Sequence, residues 1–218
     1  MDRSDPVYLL GRPCSASRMG ALLDEILDGY AAAAETLRPR YDAIDPALLY
    51  GAVLAHFPQM PSRILDIGAG TGRDAAWLAG LGHDVLAVEP VAAFRVGGQA
   101  PRWLDDRLPA LRKTRALDRK FDFILMNAVF QHVRPDERVA AMRNIAGLLA
   151  SDGRIVMSLR HGPSAETRPA YPFETGEVER LAADCGLVTL LKCDRRTVGA
   201  QNKAAGVRWE FMVLGWAG

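Results

Sequence analysis

Three glycines, each separated from the next by one residue, follow a short apolar segment that ends in a carboxylate. The segment spans residues 63–66 and ends in Asp66, and the glycines are Gly68, Gly70 and Gly72. Because glycine has no Cβ and adopts positive φ readily, a ligand can approach the backbone of such a turn closely. The helix predicted to follow adds unpaired N–H groups and the positive end of its dipole. The pattern predicts a turn that binds a ligand through its backbone.

A second carboxylate, Glu89, follows the next apolar segment, residues 84–88. At the end of a second parallel strand, such a side chain is placed to accept hydrogen bonds from both hydroxyls of a ribose. Together with the glycine turn, it predicts a site for a nucleoside cofactor. The spacing here is G-x-G-x-G, whereas the turn that binds the pyrophosphate of a dinucleotide has the spacing G-x-G-x-x-G.

The glycine motif, with the acidic residue before it, resembles the first motif of class I S-adenosylmethionine-dependent methyltransferases. The resemblance covers about residues 40–218 and is strongest over 62–90 and 121–159. It implies a Rossmann-like enzyme of the small-molecule type that uses S-adenosylmethionine and releases S-adenosyl-L-homocysteine. The cofactor residues that it implies in the first two motifs are Asp66, Gly68, Ala69, Gly70, Gly72, Glu89 and Pro90.

Composition and charge are those of an ordinary globular domain. The chain has 218 residues, of which 49% are hydrophobic and 24% charged, with a formal net charge of +1. This balance gives no strong signal for a nucleic-acid partner, which usually binds a strongly basic surface. No segment approaches the ~20 apolar residues of a membrane span, and the polar N-terminus lacks the apolar core of a signal peptide. Three cysteines at unrelated spacings favour reduced thiols and a cytoplasmic location and provide no metal template.

Apolar segments alternate with amphipathic ones, which predicts a three-layer α/β fold. We expect a Rossmann-like, seven-stranded, mostly parallel sheet whose last strand is antiparallel, because no large helix separates the last two strands. Residues 1–60 are predicted as an N-terminal helical lid and residues 61–218 as one compact methyltransferase domain. The tight turn Asp152-Gly153 should precede the fifth strand. The predicted strands are 63–67, 84–88, 101–104, 121–126, 153–159, 187–192 and 207–215; the predicted helices are 16–37, 46–57, 72–80, 91–97, 107–112, 136–150 and 174–185.

Ligands of open parallel sheets bind at the carboxyl ends of the strands, which directs attention to two further places. At the end of the third strand lie Asp105 and Asp106. The resemblance implies that a carboxylate here accepts a hydrogen bond from the adenine amine; we favour Asp105 for this role, with Asp106 as its neighbour or as a helix N-cap. At the end of the fourth strand, Asn127 and Ala128 should lie under the methionine part of the cofactor.

The sequence indicates the residues around the methyl acceptor less clearly than those around the cofactor. The segment from Asn127 to Phe130 lacks the two prolines of the D/N-P-P-Y/F pattern, which argues against methylation of base amines or glutamine. Two histidines are candidates for a general base: His132, at a position where many small-molecule methyltransferases also have histidine, and His161, after the fifth strand. The candidate substrate-binding residues are Tyr30 and Tyr41 in the lid and Arg160 and Tyr171 after the fifth strand.

Several alternatives stay open. A non-catalytic S-adenosylmethionine-binding module would keep the cofactor site and lack an acceptor pocket, and an NAD-type oxidoreductase would need a pyrophosphate turn. No metal-ligand spacing indicates a Mg²⁺-dependent reaction, and the sequence leaves the oligomeric state open. An RNA methyltransferase could use a basic patch of Lys192, Arg195, Arg196, Lys203 and Arg208. An anionic acceptor is favoured, weakly, by Arg95, Arg160, Arg168, Arg195 and Arg196.

Overall fold

A seven-stranded sheet forms the centre of the protein. The computed structural model describes residues 16–95, 101–195, 197 and 200–218, and the strand order in the sheet is β3-β2-β1-β4-β5-β7-β6. The strands are Arg63–Ile67 (β1), Asp84–Val88 (β2), Arg102–Leu104 (β3), Phe121–Asn127 (β4), Leu149–His161 (β5), Leu187–Asp194 (β6) and Arg208–Trp216 (β7).

Strands β1 to β5 pair in parallel, whereas β7 is antiparallel to both of its neighbours. The last strand enters between β5 and β6, and the connection from β6 holds only one five-residue helix. The predicted α/β fold with an antiparallel last strand is confirmed. This arrangement brings the carboxyl ends of β1, β2, β4 and β5 and the first residues of β7 to the same edge of the sheet.

Helices lie between these strands and before them. They are Ala16–Asp42 (α1), Pro46–Leu49 (α2), Arg73–Gly80 (α3), Arg112–Arg115 (α4), Arg138–Ala146 (α5), Thr175–Ala183 (α6) and Ala200–Ala204 (α7). Single 3₁₀ turns occur at Leu54–His56, Phe130–His132 and Pro135–Glu137.

The helix predictions are wrong in several details. Helix α1 continues through Pro39 to Asp42, because proline in the last turn removes a single donor and the Pro39 carbonyl still accepts from Ala43 N at 3.2 Å. Residues 92–94 form a turn instead of the predicted helix 91–97, whose last two residues lie outside the described part. The predicted helix 107–112 is a turn up to Leu111, whose positive φ of 44° interrupts a helical path.

The predicted turn at Asp152-Gly153 lies inside β5. Phe121 pairs with Leu149 and Phe123 with Arg154, so that three extra residues of β5 bulge out between these two pairs. The glycine allows this bulge, since a Cβ at Gly153 would lie 2.6 Å from a Leu149 methyl group.

Both faces of the sheet are buried, which explains the continuous apolar strands. On one face, Ile124 and Met126 of β4 pack with Met142 of α5. On the other face, Phe123 packs with the aromatic rings that precede β1, which include Phe57 at 4.6 Å between ring centroids. The segment 46–57 therefore belongs to the layer that also contains α3. Of the described residues before β1, those that line the site belong to α1, together with Ile44.

Helix α1 packs at the edge where the strands end. Ala34 and Leu37 form a small core with Val91 and Phe94, which follow β2. No helix in the described part of the chain is long and apolar enough to cross a membrane.

Candidate functional site

The glycine turn closes tightly against the neighbouring strand. The N–H groups of Gly68 and Ala69 both donate to the Val88 carbonyl, at 2.8 and 3.0 Å. Gly68, Gly70 and Gly72 have φ values of 70°, 55° and 80°, the left-handed region that favours glycine. A Cβ at Gly68 would lie 2.4 Å from a methyl group of Val129, so only glycine fits there.

Glu89 joins the turn to the end of β2. Its carboxylate accepts hydrogen bonds from Gly70 N and Val91 N, both at 2.8 Å. The side chain is buried in the wall of a cavity. Burial raises the pKa of Glu89 to about 7, against the opposing effect of these two N–H groups and of Arg95. The carboxylate can change its charge near neutral pH, at the position where a ribose is expected.

Asp66 lies behind the turn and does not line the cavity. It is 1% exposed, and its Oδ2 has no hydrogen-bond partner in the described part of the chain. Burial, together with the nearby charge of Asp74, raises the pKa of Asp66 well above its usual range. Gly72 also lies outside the cavity lining, and its own Cβ position is closed by Trp103 at 2.7 Å.

Asp74, at the start of α3, is a site residue that sequence reasoning missed. Its carboxylate accepts from the Tyr50 hydroxyl at 2.6 Å, from Arg73 at 2.7 and 2.8 Å and from Asn127 Nδ2 at 3.2 Å. It lines the cavity and connects α3 to the end of β4. Its place in the first turn of the helix after the glycines was the available signal, since carboxylates are favourable there.

The end of β4 is held by a second set of bonds. Ser158 of β5 donates to Asn127 Oδ1 at 2.6 Å, and Ala128 N donates to Ser158 Oγ at 3.0 Å. Ala128 has a positive φ of 62°, an uncommon conformation for a residue with a Cβ. Both Asn127 and Ala128 line the cavity, as the cofactor prediction requires.

The two neighbouring aspartates after β3 differ in environment. Asp106 lines the cavity, is 9% exposed and accepts from both Thr114 N and Thr114 Oγ1 at 2.7 Å, so it caps the start of α4. The Asp105 side chain lies outside the cavity lining, is 58% exposed and approaches Arg95 at 3.5 Å. The structure thus brings Asp106 to the cavity and leaves Asp105, which we favoured, at the surface.

A cavity of about 650 Å³ extends along this edge of the sheet. The glycine turn and Glu89 form part of its wall, and α1 and the loop after β5 enclose it from outside. Pro90, Tyr30, Tyr41 and Arg160 also line it.

Tyr30 of α1 contacts His132 inside this cavity. The Tyr30 hydroxyl lies 2.9 Å from His132 Nε2, and His132 Nδ1 lies 3.0 Å from the Pro169 carbonyl. Because a carbonyl only accepts, Nδ1 carries the proton and Nε2 accepts from the tyrosine. Burial lowers the pKa of His132 to about 4 and raises that of Tyr30. The imidazole is neutral, and Gln131 Nε2 lies 3.3 Å from the same Nε2 atom.

His161 and Tyr171 do not line the cavity. His161 Nε2 lies 3.4 Å from Glu210 Oε2 and from Thr175 Oγ1, and its ring packs on Phe173. Tyr171 donates its backbone N–H to the Gln131 carbonyl at 2.8 Å. The structure thus separates these two candidates from the other acceptor-side residues.

Six arginines line the cavity: Arg40, Arg73, Arg107, Arg160, Arg168 and Arg195. Arg168 lies over the Tyr30 ring at 5.2 Å, and its charge opposes the rise in the pKa of Tyr41 that burial causes. In the described residues, no group of three or more His, Cys, Asp or Glu side chains could hold a metal ion.

The fold and the site define an α/β protein with a cavity at the carboxyl ends of its parallel strands. A family model described as a methyltransferase domain matches residues 36–192. The chain therefore belongs to the methyltransferase-domain family, and the predicted enzyme class is confirmed.

One curated relative is described as an uncharacterized methyltransferase from Staphylococcus carnosus (strain TM300). It is 30% identical to this chain over 95 residues. That match covers 44% of this chain and 45% of the relative, so it spans less than half of either protein.

Two solved structures are similar over nearly the whole chain. One is the 1,6-didemethyltoxoflavin-N1-methyltransferase of Burkholderia thailandensis, with bound 1,6-didemethyltoxoflavin and S-adenosylhomocysteine; it has a TM-score of 0.67 and 21% identity over 99% of this chain and 100% of that one. The other is the magnesium protoporphyrin IX methyltransferase of Synechocystis PCC 6803 with bound S-adenosylmethionine, with a TM-score of 0.56 and 14% identity over 98% and 87% of the two chains. At these identities the similarity establishes the fold, and the predicted class I methyltransferase architecture is confirmed.

Proposed function

We propose that the protein transfers a methyl group from S-adenosylmethionine to a small-molecule acceptor. The observation that carries this proposal is one cavity that joins two sets of residues. Gly70 and Glu89 lie in one part of its wall, and Tyr30 and His132 lie in another. The first pair suits a nucleoside, and the second can hold a group that is to be methylated.

The first part of the cavity fits the cofactor. A Cβ placed on Gly70 would meet no atom within 4 Å, so the backbone there is open to a ligand. Glu89 would hold the ribose hydroxyls, Asp106 lies where the adenine is expected, and Asn127 and Ala128 would lie beside the methionine part. When bound, S-adenosylmethionine supplies an electrophilic methyl group on a sulfonium.

His132 is the group best placed to orient the acceptor. An acceptor O–H or N–H can donate to Nε2 in place of Tyr30, because Nδ1 is committed to the Pro169 carbonyl. Such a bond fixes the direction of the acceptor lone pair, and alignment of this kind contributes up to about 7–11 kcal/mol in good intramolecular reactions. With a pKa of about 4, His132 is a weak base that can take a proton only from a strongly acidic methylated intermediate. In this proposal its main role is alignment.

The size and enclosure of the cavity favour a small molecule over RNA. A volume of about 650 Å³ lies within the range of ligand pockets. Two residues of the basic patch predicted for RNA are not available as exposed, unpaired charges. Lys192 pairs with Glu179 at 2.8 Å, and Arg195 is buried at the cavity. Arg196 lies outside the described residues. The Burkholderia methyltransferase, which spans the same length of chain, also has a small heterocycle bound.

Calorimetric titration of the purified protein with S-adenosylmethionine, S-adenosylhomocysteine and NAD⁺ tests the cofactor. We expect micromolar binding of the first two and none of NAD⁺. Glu89→Ala should weaken that binding, and Glu35→Ala, an exposed carboxylate on α1, serves as the matched control. Binding of NAD⁺, or of none of the three ligands, would overturn the proposal.

Incubation with S-adenosylmethionine labelled in its methyl group tests the acceptor class. A low-molecular-mass metabolite fraction and total RNA are offered separately. Label should enter the small molecules only, and His132→Ala should reduce it without weakening S-adenosylhomocysteine binding. Label in RNA would favour the RNA methyltransferase, whereas cofactor binding without transfer to either pool would favour the non-catalytic module.

A further inference from the structure

The cavity wall carries more cations than carboxylates: six arginines line it, against the four side chains Asp74, Glu89, Asp106 and Glu137. Arg160, Arg168 and Arg195 line the cavity, and in the described part of the chain none of them forms an ion pair. Arg73, which also lines it, does have a carboxylate partner in Asp74 at 2.7 Å. Unpaired cations in the wall of a cavity point to an anion in the ligand.

Arg195 is the most informative of the three. It is only 8% exposed, and its side chain donates no hydrogen bond to a described residue. The buried Nε–H has no acceptor. Although burial lowers the pKa of Arg195 to about 10, the guanidinium stays protonated at neutral pH. Burying an unpaired charge costs several kcal/mol unless a partner compensates it.

Arg195 and Arg160 share one aromatic neighbour, Trp209. The Arg195 guanidinium lies 4.2 Å from the Trp209 ring centroid and 5.7 Å from that of Phe211. Arg160 lies 5.9 Å from the same Trp209 ring. Among the described residues, the buried indole Nε1–H of Trp209 has no acceptor either. The Arg195 Nε–H and the Trp209 Nε1–H are therefore two buried donors that a ligand could satisfy.

Arg160 and Arg168 have neutral partners. Arg160 donates to the carbonyls of Gly162 and Pro163, at 3.2 and 2.5 Å, and carbonyls leave its charge uncompensated. Arg168 lies over the Tyr30 ring, and its buried Nε–H has no acceptor among the described residues. The neighbouring wall is apolar and includes Leu27, Leu37 and Phe94.

We propose that the methyl acceptor carries an anionic group, a carboxylate or a phosphate ester, which Arg195 binds together with Arg160 and Arg168, next to an apolar body. This inference rests on the proposed methyltransferase function and specifies its substrate class. Guanidinium groups bind both kinds of anion through paired hydrogen bonds, which are stronger than those between neutral groups.

The test uses matched ligands on the protein saturated with S-adenosylhomocysteine. The anions are 2-naphthoate and 2-naphthyl phosphate, and the neutral control is 2-naphthamide, with dissociation constants from calorimetry. We expect at least one anion to bind about tenfold or more tightly than the amide, equivalent to about 1.4 kcal/mol. The tighter of the two identifies the kind of anion. Equal behaviour of anions and amide, including no binding of any, contradicts the proposal.

Substitutions test whether Arg195 causes the preference for an anion. Arg195→Met keeps an unbranched apolar side chain against Trp209 and should abolish the preference for the anion, while Arg143→Met, at an exposed position of α5, should leave it unchanged. The melting temperature of each variant establishes that it folds. A preference that survives Arg195→Met would overturn the assignment.

A second titration separates the acceptor from the cofactor, because S-adenosylhomocysteine has a carboxylate of its own. Arg195→Met should leave its affinity, and that of 5′-methylthioadenosine, which lacks the amino-acid part, unchanged. A selective loss for S-adenosylhomocysteine would show that Arg195 serves the cofactor carboxylate and would contradict the proposal. If wild-type protein fails to bind S-adenosylhomocysteine at all, the proposed methyltransferase function itself fails. This result is distinguishable from a failure of the anionic-acceptor proposal alone.

Discussion

The Tyr30 hydroxyl donates a hydrogen bond to His132 Nε2 at 2.9 Å, across 102 positions of sequence. The two rings meet edge to face, with 5.4 Å between their centroids. This contact joins α1 to the 3₁₀ turn after β4, and it places a hydroxyl and an imidazole together in the cavity. It is the contact that an acceptor molecule would exchange with its own hydroxyl or amine.

Tyr30→Phe tests this exchange. We expect the KM for the acceptor to fall, because Nε2 no longer gives up an internal hydrogen bond when the acceptor binds. The affinity for S-adenosylhomocysteine should stay within twofold of wild type, because the ring stays and only the hydroxyl is lost. Loss of the hydrogen bond should also lower the free energy of unfolding by about 1 kcal/mol. Steady-state kinetics with an acceptor from the labelling screen measure the first effect. Tyr171→Phe, outside the cavity, is the control, and equal KM values for the two variants would contradict the role.

The low pKa of His132 predicts a pH-dependent stability. The unfolded chain takes up a proton on this histidine near pH 6.5, whereas the folded protein does so only near pH 4. The contribution of His132 to the free energy of unfolding should therefore fall as the pH drops from about 6.5 to about 4, by roughly 3 kcal/mol. Urea denaturation of wild type and of His132→Asn at several pH values isolates this contribution as the difference between the two proteins, and His56→Asn should follow wild type. A steep loss in His132→Asn equal to that of wild type would refute the assignment.

The raised pKa of Glu89 predicts that the affinity for the cofactor depends on pH. Because burial raises its pKa to about 7, the carboxyl is mostly protonated at pH 6 and mostly ionised at pH 8. Ribose hydroxyls donate to the ionised form, so S-adenosylhomocysteine should bind up to about tenfold more tightly at pH 8 than at pH 6. Glu89→Gln should bind weakly and without this pH dependence. An unchanged pH profile in Glu89→Gln would assign the dependence to another group.

The raised pKa also affects the protein without cofactor. The folded state holds a proton on Glu89 that the unfolded state loses near pH 4.5. Stability from this group is present below about pH 4.5 and is lost as the pH rises through about 7. Glu89→Gln should remove this loss, which denaturation of the cofactor-free protein at pH 5 and pH 8 measures.

Gly68→Ala tests the glycine turn. The new Cβ would lie 2.4 Å from Val129 at a φ of 70°, so we expect a loss of several kcal/mol of stability and of cofactor binding. The matched control is Gly80→Ala at the end of α3, where a Cβ meets nothing within 4 Å. There the substitution should stabilise the protein by up to about 1 kcal/mol. Thermal melting and S-adenosylhomocysteine titration check both, and equal effects would contradict the steric argument.

Arg138 of α5 anchors the loop that follows β5. It pairs with both carboxylate oxygens of Glu177 at 2.9 Å and donates to the Tyr171 and Pro172 carbonyls at 3.3 and 3.1 Å. This loop carries Pro169, which orients His132.

Arg138→Met should therefore destabilise the fold by about 3–5 kcal/mol, because the Glu177 charge loses its partner. It should also lower turnover through the displaced loop. Chemical denaturation and kinetics measure the two effects, with Arg143→Met as the control on the same helix. A variant as stable as that control would contradict the anchoring role.

Much of the fold could be predicted, because its signals are local. The five parallel strands are continuous apolar segments, and the glycine turn combines three positive-φ positions with a helix start. The antiparallel last strand followed from the short connection after β6. The helix ends were predicted wrongly where tertiary packing sets the backbone conformation. Leu111 is an example, because its side chain is fully buried while its φ is positive.

The residues around the methyl acceptor were harder to predict, because they come from segments that are distant in the sequence. Asp105 and Asp106 are chemically the same, and only the path of the chain after β3 turns Asp106 to the cavity. His132 follows β4, and His161 is the last residue of β5, which ends at the same edge of the sheet. The 3₁₀ turn at Phe130–His132 brings the first into the cavity, whereas the second packs on Phe173 and Glu210.

The sequence by itself determined the sheet, the glycine turn and the family, because strand burial, positive φ and helix starts depend on residues close together in the chain. Only the tertiary structure decided which side chains share the cavity. Tyr30, His132, Arg168 and Arg195 come from four separate segments, and their burial depends on packing between those segments. Burial lowers the pKa of His132, and Arg195 forms no ion pair with a described carboxylate; no local pattern predicts either effect.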